Sequence, residues 1–352
     1  EIPLGAGHGV AASEGLHSLV SNVIVTSKYT AWNFLPKNIW EQLHKAANLY
    51  FFTISIVMAL GNLTPLFHGT INFASTFATL VIMMAFSSLI AGLDDRARHR
   101  ADAQTNSQPA CRVSVDASGG APKVERTEWS DVRVGDFLVV KSEEDFPADL
   151  VPLACSGDEG GCYVSTANLD GETNLKIKTA AQLTQHALCG GATEGAVDAL
   201  PLLDRAVANL TSVSGVVSAE APQKSIHNFK GTLCARVREV GGASSNTASE
   251  EAAFSLGPQQ LLLRGTTLRN TAWCLGIVVY TGHETRMAMN SRSAPSKIAN
   301  IERTINRVMM VVIGAQAAMA LVCDIAFNLT LDNFSKLWYL SVETTLLPNW
   351  IS

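Results

Sequence analysis

Apolar residues in this 352-residue chain are bunched into long runs. From Ala46 to Leu93 there is no Lys, Arg, Asp or Glu; only His68, beside Pro65 and Gly69, interrupts near the middle. About 20 apolar residues cross ~30 Å of hydrocarbon as a helix, so the run predicts two membrane helices, Ala46 to Leu63 and Thr70 to Leu93, joined by a tight turn. A third uncharged run, Val308 to Cys323, continues past Asp324 toward Leu331. Core helices of a soluble protein rarely run this long without a charge. Asp324 is expected at the outer interface, where its carboxylate reaches water, with a place on an ion or lipid path as the other reading.

Basic residues fix the direction. Lys37 and Lys45 precede the first run, Arg96, Arg98 and Arg100 follow the second, Arg303 and Arg307 precede the third, and the turn has none. Positive charge is retained on the cytosolic side, which puts the middle of the chain in the cytosol. That middle, Ala101 to Ala299, is polar and carries short alternating runs (Arg112 to Asp116, Asp136 to Lys141, Gln260 to Arg264) that predict strands. Two stretches of small, polar residues, about 180–221 and 240–251, predict loops or low-complexity inserts. No internal repeat, P-loop or Rossmann glycine pattern is present.

Composition narrows the classes. A 47% hydrophobic content suits a membrane protein, and a net charge of -5 offers no global basic surface, so no nucleic-acid partner is expected. The seven cysteines are scattered and never form a CxxC, so they read as reduced cytosolic thiols and no metal site is expected. The chain opens at Glu1, not Met, without a basic start or apolar leader, and is expected to be a fragment.

One segment carries chemistry. Val164 to Lys178 sets Asp170, Glu172 and Thr173 around Gly171 between two strand-like flanks. Glycine reaches positive φ without a Cβ penalty, so Asp170-Gly171 favours a tight turn that presents Glu172 at a loop tip, where a carboxylate can act as a general base toward water. The same four residues also fit an ordinary hairpin with a solvated glutamate.

The surroundings give this segment its weight. Asn168-Leu-Asp-Gly-Glu-Thr-Asn-Leu-Lys176 resembles the actuator-domain signature of type IV P-type ATPases, the lipid flippases. Thr26-Ser-Lys-Tyr-Thr30, Asn33-Phe-Leu-Pro-Lys37, Ala46 to Phe52, Asp95 to Asp102, Val134-Gly-Asp136 and Phe146-Pro-Ala-Asp149 match in the family's order. So do Leu262 to Gly265, Leu268-Arg-Asn270, Val279 to His283, Pro295-Ser-Lys297, Ile301 to Asn306 and Trp338-Tyr-Leu340, and the resemblance runs from about Ser21 to Leu340.

It implies a multi-pass α-helical membrane protein with a β-rich cytosolic actuator domain, an incomplete P-type ATPase architecture. Residues 1–38 would be an amino-terminal cytosolic segment, 39–93 the first two membrane helices and 94–300 the actuator domain with its two inserts. Residues 301–331 would be the third helix and 332–352 an exoplasmic loop. The implied activity is ATP-driven phospholipid movement to the cytosolic leaflet through an aspartyl phosphate. Glu172 would be the base for dephosphorylation, and Asp170, Gly171 and Thr173 would shape its loop. Ala59, Leu60, Gly61, Asn62 and Thr64 occupy the zone implied to meet the lipid headgroup, although a simple turn with capped helix ends also fits them. Mg2+ and ATP would be bound by domains not present in this chain, and an accessory beta subunit is the implied partner. The sequence contains no DKTGT or PISL. A flippase-like scaffold that has lost its activity, and a cation pump with an unusual loop, remain as alternatives.

Overall fold

The computed structural model describes residues 2–4, 21–63, 73–115, 121–190, 199–237, 251–290 and 300–334. Its elements begin with β1 (Ile2–Leu4), α1 (Phe34–Leu43), α2 (Ala46–Leu63) and α3 (Phe73–Asn106). Next come β2 (Pro109–Ser114), β3 (Lys123–Glu128), β4 (Phe137–Lys141), β5 (Asp149–Cys155), β6 (Gly161–Ser165), α4 (Ala167–Asp170) and β7 (Leu175–Thr179). After α5 (Gln182–Cys189), α6 (Ala199–Ala208), β8 (Val213–Ala219), β9 (Gly231–Val237) and β10 (Glu251–Leu256), the chain forms β11 (Thr267–Arg269), β12 (Trp273–Tyr280), α7 (Arg286–Asn290) and α8 (Asn300–Phe334). They divide into a β-rich unit, Glu1–Val25 with Arg100–Ala294, and a helical unit, Thr26–His99 with Pro295–Ser352.

In the helical unit, α3 and α8 are each long and apolar enough to cross a membrane. The helices α1 and α2 meet at 90° and make a third span if the bent pair acts as one. At the bend the last carbonyls of α1 have side-chain as well as backbone partners: Gln42 O accepts from Lys45 N at 3.2 Å and Asn48 Nδ2 at 2.9 Å, and Trp40 O accepts from His44 N at 3.3 Å with His44 Nδ1 2.8 Å away. The apolar run of α3 ends at Leu93, yet the helix continues to Asn106 because the Arg, Ala and Gln residues that follow still suit a helix. A strap at Lys28 and Tyr29 is tied to this frame. Lys28 N donates to Asp95 Oδ1 at 2.8 Å, while Lys28 Nζ and Tyr29 Oη reach Glu41 Oε2 at 2.6 and 2.7 Å. Asp324 is half-buried, and its Oδ1 has no hydrogen-bond partner among the described residues.

The β-rich unit contains sheets of order β3-β2-β4-β12-β5, β11-β6-β7 and β1-β8-β9-β10. Every residue of β5 and β12 is buried. Their alternating side chains feed two separate cores: Val151, Leu153, Leu275 and Ile277 enter one, and Leu150, Cys155, Cys274 and Val278 the other. A strand buried on both faces is an apolar run, as Asp149 to Cys155 and Trp273 to Tyr280 are.

The stretch 180–221 is not a loop where it is described: it contains α5, α6 and β8. Its Leu202, Leu203, Ala206, Val207 and Leu210 recur at helical spacing and are buried in the first core, so small side chains here mark close packing. Of the second expected insert, 240–250 lies outside the described residues and Glu251 opens β10. The amino terminus is not wholly separate from the β-rich unit, because β1 pairs with β8 and Asn22 is fully buried in it. Gln260 to Arg264 is also no strand: Leu262 makes one bridge to Leu150, and the chain then turns at Arg264 and Gly265.

That turn is bound to Asp149. Its buried carboxylate accepts Arg264 N–H at 2.8 Å through Oδ1 and Arg286 N–H at 2.9 Å through Oδ2. Asn22 completes the frame: its Oδ1 accepts from Arg264 Nη1 at 2.6 Å and Gly282 N at 2.9 Å, and its Nδ2 donates to Trp129 O and Pro147 O. Burial raises the Asp149 carboxyl to about 6, since desolvation outweighs the two backbone donors and the neighbouring guanidinium groups. A folded-state pKa above the unfolded value means that the folded chain holds the proton more tightly. The stability linked to Asp149 therefore rises as pH falls from about 7 toward about 4. Asp149→Asn turns one acceptor into a donor facing a backbone N–H, and thermal unfolding of the full chain in detergent should show a loss of about 1–3 kcal/mol. The gap to wild type should widen by on the order of 1 kcal/mol between about pH 7.5 and about pH 5.

Candidate functional site

The connection from β6 to β7 carries the expected chemistry. The two strands are antiparallel, with Ser165 opposite Leu175. The residues between them do not form a tight turn: Ala167 to Asp170 make one helical turn, ended by Gly171 at φ 75°. This left-handed residue donates its N–H to Ala167 O at 3.1 Å, closing the turn and reversing the chain. A Cβ at Gly171 would meet nothing within 4 Å, so the need for glycine here comes from backbone conformation alone.

Asp170 organises the loop. Its Oδ1 accepts Glu172 N–H at 2.9 Å, both its oxygens accept from Thr166 Oγ1, and its Oδ2 lies 2.5 Å from Lys176 Nζ. Lys176 holds the Asp170 carboxyl down at about 2, helped by the Glu172 N–H and the Thr166 hydroxyl. Lys176 also meets Glu172 Oε2 at 3.2 Å, and its own pKa is raised, first by Asp170. These pairs are solvated, worth under about 1 kcal/mol each, so they orient the loop more than they stabilise the fold. The Glu172 side chain remains 61% exposed and Thr173 is exposed as well. The loop is therefore a pre-shaped tip that presents a carboxylate outward.

The floor of the loop leads back to Asp149. Thr267 pairs with Ser165 at the end of β6, and Asn168 Nδ2 lies 3.5 Å from Gly265 O in the turn that Asp149 holds. Thr166 and Lys176 were not singled out from the sequence; the signal available was Lys176 at i+4 from Glu172. Of the expected headgroup residues, Ala59, Leu60, Gly61 and Asn62 lie in the last turns of α2, where Leu60 is exposed and Gly61 buried. Thr64 lies outside the described residues. These residues belong to the helical unit, and the Glu172 loop belongs to the β-rich unit.

The family profile described as "Phospholipid-translocating ATPase N-terminal" matches residues 12–71. Phospholipid-transporting ATPase DRS2 of Saccharomyces cerevisiae is 33% identical over 325 residues, 92% of this chain and 21% of that protein. Phospholipid-transporting ATPase C887.12 of Schizosaccharomyces pombe is 36% identical over 296 residues, 84% of this chain and 20% of the relative. The chain matches the amino-terminal region of type IV P-type ATPases. Phospholipid-transporting ATPase 10 of Arabidopsis thaliana, 33% identical over 328 residues, agrees. The chain spans about a fifth of the length of these relatives, 20–24%. Its β-rich unit is the actuator domain of the family, and its apolar helices belong to the membrane region.

Loop geometry in this type IV chain is open to test by amide exchange. Asp170→Ala removes the acceptor of Glu172 N–H, and exchange at Glu172 should quicken about tenfold, the equivalent of one local hydrogen bond. A depressed carboxylate contributes above its unfolded pKa and loses that contribution as pH falls through its folded value. Protection in wild type should therefore hold down to about pH 4 and vanish only toward about pH 2. Gly171→Ala should cost about 1–2 kcal/mol of left-handed strain.

Proposed function

We propose that this chain is the actuator and membrane-entry part of an ATP-driven phospholipid translocase, in which Glu172 is the general base that ends each aspartyl-phosphate cycle. The observation that carries the reading is the exposed Glu172 carboxylate on a loop shaped by Asp170, Gly171 and Lys176. It is supported by the names of the relatives, all phospholipid-transporting ATPases.

Dephosphorylation needs a water oriented toward phosphorus and an acceptor for its proton. Glu172 supplies the acceptor: one carboxylate oxygen meets Lys176 at 3.2 Å, which aims the side chain. An aspartyl phosphate has to survive while the membrane region changes state, so its base arrives on a separate domain. Thr173 and Gly171 keep the tip short enough to enter a phosphorylated site. ATP with Mg2+ supplies the phosphoryl group when bound; this sequence contributes no P-loop or DKTGT toward it. In the membrane, the lipid moves toward the cytosolic leaflet past the outer end of α2, with Ala59, Leu60, Gly61, Asn62 and Thr64 near its headgroup, and a beta subunit accompanies the transporter.

The test uses the full-length protein in lipid–detergent micelles. Glu172→Gln should lower vanadate-sensitive, lipid-stimulated ATPase turnover about 10²–10⁴-fold, the usual worth of a general base, with the fold intact. Wild-type turnover in that variant would remove Glu172 from the mechanism, and a full-length protein that forms no phosphoenzyme would favour the inactive scaffold.

A further inference from the structure

Three of the seven cysteines, dispersed in sequence, converge in the actuator domain. Cys155 ends β5, Cys162 lies in β6 and Cys274 in β12. Cys155 and Cys274 are register partners across β5 and β12, with Sγ atoms 3.3 Å apart. All three Sγ atoms lie within 4.8 Å of one another, and each residue is at most 1% exposed.

Three sulfurs around one trigonal ion, at metal–sulfur bonds of ~2.3 Å, stand ~4.0 Å apart. That spacing falls between the 3.3 Å of the Cys155–Cys274 pair and the 4.8 Å limit, so a small adjustment of side-chain torsions centres an ion. Closed structural zinc sites take four ligands, whereas no fourth Cys, His, Asp or Glu joins this cluster among the described residues. Three sulfurs and nothing else favour a soft ion. Lys178 stands opposite Cys162 in the β6–β7 register and offsets part of the negative charge that thiolates bring.

The geometry points to a buried three-sulfur site for a soft, thiophilic metal cation of the cuprous or cadmium kind, built by Cys155, Cys162 and Cys274. Binding forms three metal–sulfur bonds and releases one proton for each thiol that becomes a thiolate, so affinity rises with pH. The site stands independently of the lipid reading. An ion there ties β6, the strand that runs into the Glu172 loop, to β5 and β12.

Cd(II) is the probe, titrated without oxygen into the full chain in detergent with Cys111, Cys189, Cys234 and Cys323 replaced by Ala. Sulfur-to-cadmium charge-transfer absorbance should saturate at one ion per chain. Replacing an outer-shell partner alone costs 10–100-fold, so loss of one sulfur should weaken binding by at least about 100-fold. Cys274→Val keeps the site apolar and filled; it should retain the circular dichroism and thermal midpoint of the parent and lose the band. A folded parent with no saturable band, or a Cys274→Val chain that binds as the parent does, would overturn the proposal and leave the cysteines as core packing.

Discussion

A fully buried carboxylate, Asp149, holds together three parts of the actuator domain that are far apart in sequence. It stands at the start of β5 and accepts the backbone N–H groups of Arg264 and Arg286. Removing a carboxylate from water is costly, and the pKa raised to about 6 records that cost. The site persists because both oxygens are used and cations surround it. Arg264 reaches Asn22 and lies over the Trp129 ring; Arg286 meets Glu220 and the carbonyls of Ser225 and Asn228 and lies over Phe229. Without those donors the turn at Gly265 would lose its anchor, and β11 would lose its fixed approach to β6.

The proposed chemistry is built on this frame with modest local forces. Solvated pairs of Asp170, Lys176 and Glu172 would not by themselves keep a loop in place. They refine the aim of a tip whose position comes from β6, β7 and β11, strands fixed by the cores on either side of β5 and β12. A rigid domain with a short exposed tip suits a base that has to be carried to its substrate and withdrawn.

Much of this was legible in the sequence, for reasons that differ by region. The membrane runs were clear because hydrocarbon thickness sets a length and charges mark its ends, and α2 has the bounds its apolar run indicates. The buried β5 and β12 were not singled out although each is an apolar run, and the Glu172 loop was found through its resemblance to a family signature, while its helical turn was not. The stretch 180–221 was misread because its Ala, Ser and Thr content resembles a loop, whereas the buried residues of α6 follow helical spacing. The partners of Asp149 were out of reach because they are backbone N–H groups, which no side-chain pattern reports. Convergence of Cys155, Cys162 and Cys274 depends on strand register, which spacing along the chain does not encode.

The most direct measurement is the decay of phosphoenzyme in full-length Asp149→Asn, followed in a single turnover at a temperature where the variant is folded. If the buried carboxylate sets the position of the Glu172 loop, phosphoenzyme should form at the wild-type rate and decay more slowly. Decay at the wild-type rate in the folded variant would contradict this account and separate the Asp149 frame from the chemistry of the loop.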